Sequence, residues 1–237
     1  MIGVQEVSII IPTYNEKENI GKLIPAIFWV FSRNKIAGEV IVVDDNSPDG
    51  TADIVKGLSK KFNVRLILRK RKSGLSSAVL EGIRHSKAGI IGVMDADLSH
   101  PPDRIPQLLE ALEKSDIAIA SRFVKGGGIA GWSYFKRLRS RTAALFAVGL
   151  TGVRDPMSGY FFFRKDVIGG VTLTPKGYKI GLEILVKGRH GKIAEIPYLF
   201  YNRRSGKSKL NPGEVANYLV HIAKLYAHKY SRIKRKA

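Results

Sequence analysis

Val40-Ile41-Val42-Val43-Asp44-Asp45-Asn46-Ser47-Pro48-Asp49-Gly50 is the stretch on which the fold reading turns. Four apolar residues, three of them valine and one isoleucine, run without a polar interruption. Such a run describes a strand buried on both faces, as in parallel sheets covered by helices. It stops at a cluster of Asp, Asn, Ser, Pro and Gly, all turn formers. The helical pattern Thr51–Phe62 follows. One strand, one polar turn and one helix therefore form the repeating unit.

The unit recurs on both sides. Val7–Ile11, Val64–Leu68, Ile90–Met94 and Asp116–Ala120 are further compact apolar runs. Lys17–Phe31, Ser76–Ser86 and Asp103–Lys114 lie between them and read as helices, the last announced by Pro101-Pro102. This order predicts an α/β fold with a mostly parallel open sheet flanked by helices. Ligands of such sheets bind outside the carboxyl ends of the strands. After Ala120 the rhythm changes. Lys125–Gly128 reads as a flexible joint, Ser133–Leu150 as a basic amphipathic helix, and Tyr160–Phe163 and Ile193–Tyr201 as strands. The expected organisation is a catalytic domain over 1–211, with an interfacial helix at about 132–150, and a basic helix and tail over 212–237.

Composition narrows the classes. The 237 residues suffice for a sizeable core. There is no cysteine, which excludes disulfides, thiolate metal sites and cysteine nucleophiles. Forty basic against 20 acidic residues give a formal charge of +20, so the chain should seek anions: nucleic acid, anionic lipid or phosphorylated substrates. Met1–Pro12 lacks a basic lead and contains Glu6, so no secretory leader is expected. No apolar run approaches the roughly 20 residues that span a bilayer.

Three polar clusters follow strands: Pro12-Thr13-Tyr14-Asn15-Glu16, Asp44 to Gly50, and Asp95-Ala96-Asp97. Asp95 and Asp97 are at i and i+2, which in extended chain places both carboxylates on one face. Such a pair suits Mg²⁺ or Mn²⁺ shared with diphosphate oxygens, and Ser99 continues the face as a third metal contact. Asp45 is placed to accept a nucleobase N–H, from guanine or uracil alike. Tyr14 packs on the base, and Glu16 reaches base or ribose. The structural alternatives are caps at Asn15 or Glu16, turns at Asp44 or Asp49, a turn or helix cap before Pro156 at Asp155 in place of a ligand role, and a structural role for His100. The first βα turn has no G-x-G-x-x-G, and Ser205-Gly206-Lys207-Ser208 lacks the earlier glycine of a P-loop, with Tyr201 in its place.

Together these clusters, with Ser121 to Gly127, Arg154 to Arg164 and Arg203 to Leu210, resemble family-2 glycosyltransferases of the GT-A fold. Within that family they are similar to the dolichyl-phosphate mannose synthases, over roughly residues 6–215. The resemblance implies GDP-mannose as donor, dolichyl or another polyprenyl phosphate as acceptor, and inversion at the anomeric carbon. It implies that Pro12, Tyr14, Glu16, Val43 and Asp45 hold the guanosine part, and that Asp95, Ala96 and Asp97 hold the diphosphate and metal. Arg122, Arg203 and Lys209 would contact phosphates, with Asp97 as a further catalytic residue. Arg122, Arg137 and Arg139 would grip the lipid phosphate. Some members carry Gln where this chain has Ser99. No Gln-x-x-Arg-Trp motif is present, which points to transfer of a single sugar.

Trp132–Val148 mixes Trp132, Phe135, Leu138, Leu145 and Phe146 with four basic residues, the make-up of an interfacial helix. The tail Lys224–Lys236 adds positive charge. The sequence reading is thus a protein peripheral to the cytoplasmic face of a membrane, with a small membrane-protein subunit as a partner some relatives use. Two rivals remain at this stage: sugar transfer from a UDP-sugar to polyprenyl phosphate, and nucleic-acid binding. The second is disfavoured because no helix-turn-helix, stacking sheet motif or zinc spacing is present.

Overall fold

The computed structural model describes residues 7–131, 145–174, 179–201 and 212–234. The alternating runs become β1 (Val7–Thr13), α1 (Lys17–Arg33), β2 (Gly38–Asp44), α2 (Thr51–Leu58), β3 (Val64–Leu68), α3 (Leu75–His85), β4 (Ile90–Val93), α4 (Ile105–Ala111) and β5 (Ile117–Ser121). There follow β6 (Gly128–Ile129), a helix at 145–151 (α5), β7 (Phe161–Arg164), α6 (Ile180–Lys187), β8 (Ile193–Pro197), β9 (Leu199–Phe200) and α7 (Pro212–Lys234).

Seven strands make one open sheet in the order β3-β2-β1-β4-β7-β5-β8. All neighbours run parallel except β7, which is antiparallel to both β4 and β5. Because β7 reverses between them, β4 and β5 point the same way. The carboxyl ends of β1, β2, β4 and β5 therefore share one edge of the sheet.

Alternation along each strand divides the core into two layers. Ile9, Ile11, Val40, Val42 and Phe162 pack with Ile20, Leu23 and Ile27 of α1 and with Ile105 and Leu108 of α4. Ile10, Ile41, Val43, Ile91 and Phe163 pack on the other face with Val79 and Ile83 of α3 and Ile180 and Ile184 of α6. Gly92 is required by this packing, since a Cβ there would lie 2.5 Å from the ring of Phe162, its partner across β4 and β7. A third cluster, Ala147, Leu150, Leu182, Ile222 and Leu225, docks α7 onto α5 and α6.

Some boundaries differ from the sequence reading. The run Ile193–Tyr201 is two strands, because its first half pairs with β5 and its second with β6. Asp103–Lys114 begins as a 3-10 turn at Pro102–Arg104 and is α-helical only over Ile105–Ala111. Lys125–Gly128 is a tight turn folded back on β5, not a loose joint. Gly126 takes φ +87°, and a Cβ on Gly127 would lie 2.5 Å from the Ser121 carbonyl. Of the expected interfacial helix, 145–151 is helical with Leu145 and Phe146 exposed. The remainder, with Arg137 and Arg139, lies outside the described residues, as do Arg203 and Lys209. Among the described residues no helix is long and apolar enough to cross a membrane.

Candidate active site

The shared strand edge gathers the polar clusters. At β1 and β2, the buried Asp44 accepts the Thr13 hydroxyl (2.8 Å), the Ser47 hydroxyl (2.6 Å) and the Ser47 N–H (2.8 Å). It is a tie between two loops, as the turn reading allowed. Asp49 accepts the Lys17 N–H at the start of α1 and both the N–H and hydroxyl of Thr51 at the start of α2. Burial pushes Asp49 up, but the Thr51 and Lys17 hydrogen bonds together outweigh it and hold the carboxyl below its ordinary range. Glu16 heads α1, its carbonyl accepting the N–H groups of Asn19 and Ile20, while its carboxylate accepts Asn19 Nδ2 (2.8 Å).

Asp45 is buried and engaged on both oxygens. Oδ1 pairs with the Arg69 guanidinium, and Oδ2 accepts the N–H groups of Ser73 and Gly74, each at 3.1 Å. It therefore folds the basic segment 69–74 over the end of β2. Within that segment Lys72 Nζ lies 3.7 Å from the centroid of the Tyr14 ring, a cation–π contact. The structure thus places Tyr14, Asp45 and Glu16 around one end of the edge, with Pro12 and Val43 paired in register behind them.

Beyond β4, Asp95 and Asp97 flank Ala96. Leu98 at φ +62° turns the chain sharply, so that Ser99 folds back and donates its N–H (3.1 Å) and hydroxyl (2.5 Å) to Asp97 Oδ1. Ser99 orients the carboxylate and keeps hydroxyl lone pairs of its own. The side chain of Asp95 is 26% exposed, whereas Asp97 is buried. His100 is buried behind them. Its Nδ1 accepts the Asp95 N–H at 2.9 Å, so the ring proton sits on Nε2, 3.8 Å from Asp95 Oδ2. The ring stacks on Tyr160 with centroids 5.0 Å apart, and the Tyr160 hydroxyl donates to the Pro101 carbonyl.

Among the described residues no group of three His, Cys, Asp or Glu could hold a metal. The donor set around Asp95 and Asp97 is two carboxylates and a hydroxyl. Such oxygen donors suit a hard divalent cation that completes its shell with phosphate oxygens and water.

Arg122 follows β5 directly. Its guanidinium gives Nε and Nη2 to the two oxygens of Asp155, each at 2.7 Å, and its backbone N–H donates to the same carboxylate at 2.9 Å. Burial would lower the Arg122 pKa, but the hydrogen bonds and charge of Asp155, with a smaller contribution from Asp95, raise it above its ordinary value. Sequence reasoning took Asp155 for a turn or cap residue and passed over Arg69. A partner 33 or 24 positions away leaves no local signal for either residue.

Residues 8–171 match the profile described as Glycosyl transferase family 2. The chain is 45% identical over 230 residues to a dolichol-phosphate mannosyltransferase of Pyrococcus furiosus, covering 93% of this chain and 63% of that relative's length. It is 38% identical to the dolichol-phosphate mannosyltransferase of Saccharomyces cerevisiae, over 95% of this chain and 88% of the yeast protein. Among solved structures it is similar to mannosyl-3-phosphoglycerate synthase from Rubrobacter xylanophilus, with a TM-score of 0.64 and 18% identity over 97% of this chain and 75% of that one. It is also similar to glucosyl-3-phosphoglycerate synthase from Mycobacterium tuberculosis in complex with Mn²⁺, uridine diphosphate and glucosyl-3-phosphoglycerate, with a TM-score of 0.66 and 16% identity over 95% and 80%. At these identities the structures speak to the fold, which is GT-A with its open, mostly parallel sheet. The profile match and the yeast relative reach further: the chain belongs to glycosyl transferase family 2.

Proposed function

We propose that this protein transfers mannose from GDP-mannose to dolichyl or a related polyprenyl phosphate, with inversion at the anomeric carbon. The observation that carries the reading is identity of 45% and 38% with two dolichol-phosphate mannosyltransferases across 93% and 95% of the chain. The geometry is compatible with it, since acidic and basic groups suited to a nucleoside diphosphate sugar meet at one sheet edge.

Tyr14, Glu16 and Asp45, backed by Pro12 and Val43, would receive the guanosine part. Because both Asp45 oxygens already hold the 69–74 segment, its contribution is as much to shape this end of the cleft as to touch the base. Asp95 and Asp97, with the Ala96 backbone between them and Ser99 behind, would hold Mg²⁺ or Mn²⁺ against the diphosphate. The ion, when bound, supplies positive charge to the leaving diphosphate. A phosphate monoester has its second pKa near ~6 and is mostly dianionic at neutral pH, so the acceptor needs no base to attack. The chain's task is then to position and to stabilise charge. Arg122 would present N–H groups to phosphate oxygens, a use for which the guanidinium fork is well shaped. The same role for Arg203 and Lys209, and for Arg137 and Arg139 on the acceptor, rests on the family resemblance.

The division into a catalytic domain over 1–211 and a basic helix and tail over 212–237 is part of this reading. The helix α7 is seated on α5 and α6 by Ile222 and Leu225. Leu145 at 65% and Phe146 at 58% exposure, in a chain of charge +20, fit a protein peripheral to the cytoplasmic face of a membrane, with or without a small membrane subunit.

The test is transfer of label from GDP-[¹⁴C]mannose to a polyprenyl phosphate, with Mg²⁺, Mn²⁺ or EDTA, against UDP-[¹⁴C]glucose. Organic-extractable mannose that disappears with EDTA is the expected result. Equal transfer from UDP-glucose would overturn the donor, and no lipid product from either sugar would overturn the acceptor.

A further inference from the structure

Asp155 is fully buried and lines a small pocket whose other walls include Ile117, Ile119, Phe161, Ile184 and Leu185. A carboxylate in such surroundings persists only when firmly paired. Its partner is Arg122, held by three hydrogen bonds, two from the guanidinium and one from the backbone. The bonds fix the position and the plane of the guanidinium. They use two of its five N–H groups and leave three.

Asp155 is itself anchored. The N–H groups of Arg154 and Asp155 donate to the two oxygens of Glu195 on β8, at 3.0 and 3.1 Å. Four residues on, the same segment passes the acidic pair before entering β7. A Cβ on Gly159 would lie 3.3 Å from Asp95 Oδ2 and 3.3 Å from His100 Cε1. Because β7 runs between β4 and β5, the segment leading into it is braced between Asp95 on one side and Arg122 on the other.

We propose that Asp155 is a positioning residue for sugar transfer: it sets the Arg122 guanidinium so that its remaining N–H groups meet phosphate oxygens beside Asp95. The inference rests on the reading of Arg122 as a phosphate-binding group. Asp95 follows β4 and Arg122 follows β5, the strands on either side of β7. Glu195 supports the arrangement from behind.

Asp155→Asn puts an amide N–H₂ against one guanidinium donor. It is expected to lower kcat/KM per folded molecule about 10- to 100-fold, as loss of a supporting hydrogen-bond partner commonly does. The deciding measurement is a double-mutant cycle with Arg122→Gln, using GDP-mannose and a polyprenyl phosphate. If Asp155 acts through Arg122, adding Asp155→Asn to Arg122→Gln costs less than a further threefold. Losses that multiply, or an Asp155→Asn protein within twofold of the parent, overturn the proposal. Should Asp155→Asn fail to fold, Glu195→Gln decides: a loss of twofold or more that vanishes in the Arg122→Gln background supports it, and full activity overturns it. Undiminished transfer by Arg122→Gln alone would instead remove the phosphate-binding role of Arg122, and the inference with it.

Discussion

Replacing Asp97 by Asn alters one carboxylate oxygen and leaves the shape of the side chain intact. The substitution therefore separates charge from packing at the acidic pair. Asp97 is buried, and both hydrogen bonds from Ser99, at 3.1 and 2.5 Å, end on a single oxygen, Oδ1. An Asn carbonyl can occupy that position and keep both. Each bond loses its charge assistance, worth about 1 kcal/mol, or about 2 kcal/mol for the pair. Relief from burying a charge acts in the opposite direction and is of similar size. Net stability should thus stay within about 1 kcal/mol, a shift in Tm of about 2–4 °C for a chain of this size. Cation binding is compensated only in part. Removing a unit charge about 4 Å from a divalent ion removes about 8 kcal/mol of Coulomb attraction at an effective dielectric constant near 20, and with most of that returned by the water that replaces the charge the dissociation constant should still rise by at least about two decades. The assay is an electron paramagnetic resonance titration of Mn²⁺ with GDP present, run beside thermal unfolding. An Asn variant with normal Tm and Mn²⁺ affinity within threefold of the parent would refute the assignment of Asp97 as a metal ligand.

Gly159→Ala puts a methyl 3.3 Å from Asp95 Oδ2, a few tenths of an ångström too near. It should weaken Mn²⁺·GDP binding about three- to tenfold with little change in Tm, measured by calorimetry. Gly92→Ala drives a methyl into the Phe162 ring at 2.5 Å and should cost about 1–3 kcal/mol of stability, read as a lower denaturation midpoint. His221 on α7 titrates below its ordinary value because burial disfavours its charged form. The unfolded chain then binds the proton more readily, so stability is full above pH ~6.5 and falls as the pH drops toward the folded-state pKa. His221→Gln should flatten that part of the pH–stability curve, followed by thermal unfolding between pH 5 and 7.5.

Much of the fold was legible because buried parallel strands write themselves as unbroken apolar runs. Val64–Leu68 was placed to the residue, and β1, β2, β4 and β5 within two residues at either end. The i, i+2 spacing predicts Asp95 and Asp97 on one face of extended chain, but β4 ends at Val93 and both lie in the loop beyond it, where Leu98 at φ +62° turns Ser99 back onto Asp97. What could not be read was any pairing made across the sheet. The antiparallel insertion of β7 between β4 and β5 leaves no mark on the sequence of Phe161–Phe163, because a strand buried on both faces looks alike in either direction. The engagement of Asp45 by Arg69 and of Arg122 by Asp155 was hidden for the same reason. Local pattern reports which face a side chain takes, not which distant residue meets it.

The sequence by itself determined the α/β class, the positive charge that seeks anions, the absence of thiol chemistry, and the position of polar clusters at strand ends. Those follow from periodicity and composition, which are properties of neighbours along the chain. Only the tertiary structure decided that Asp155, in a segment read as a turn, is clamped to Arg122, and that Gly159 gives Asp95 its room. The order of strands in the sheet sets these contacts. That order minimises exposed apolar surface over the whole molecule, a sum to which no short stretch holds the answer.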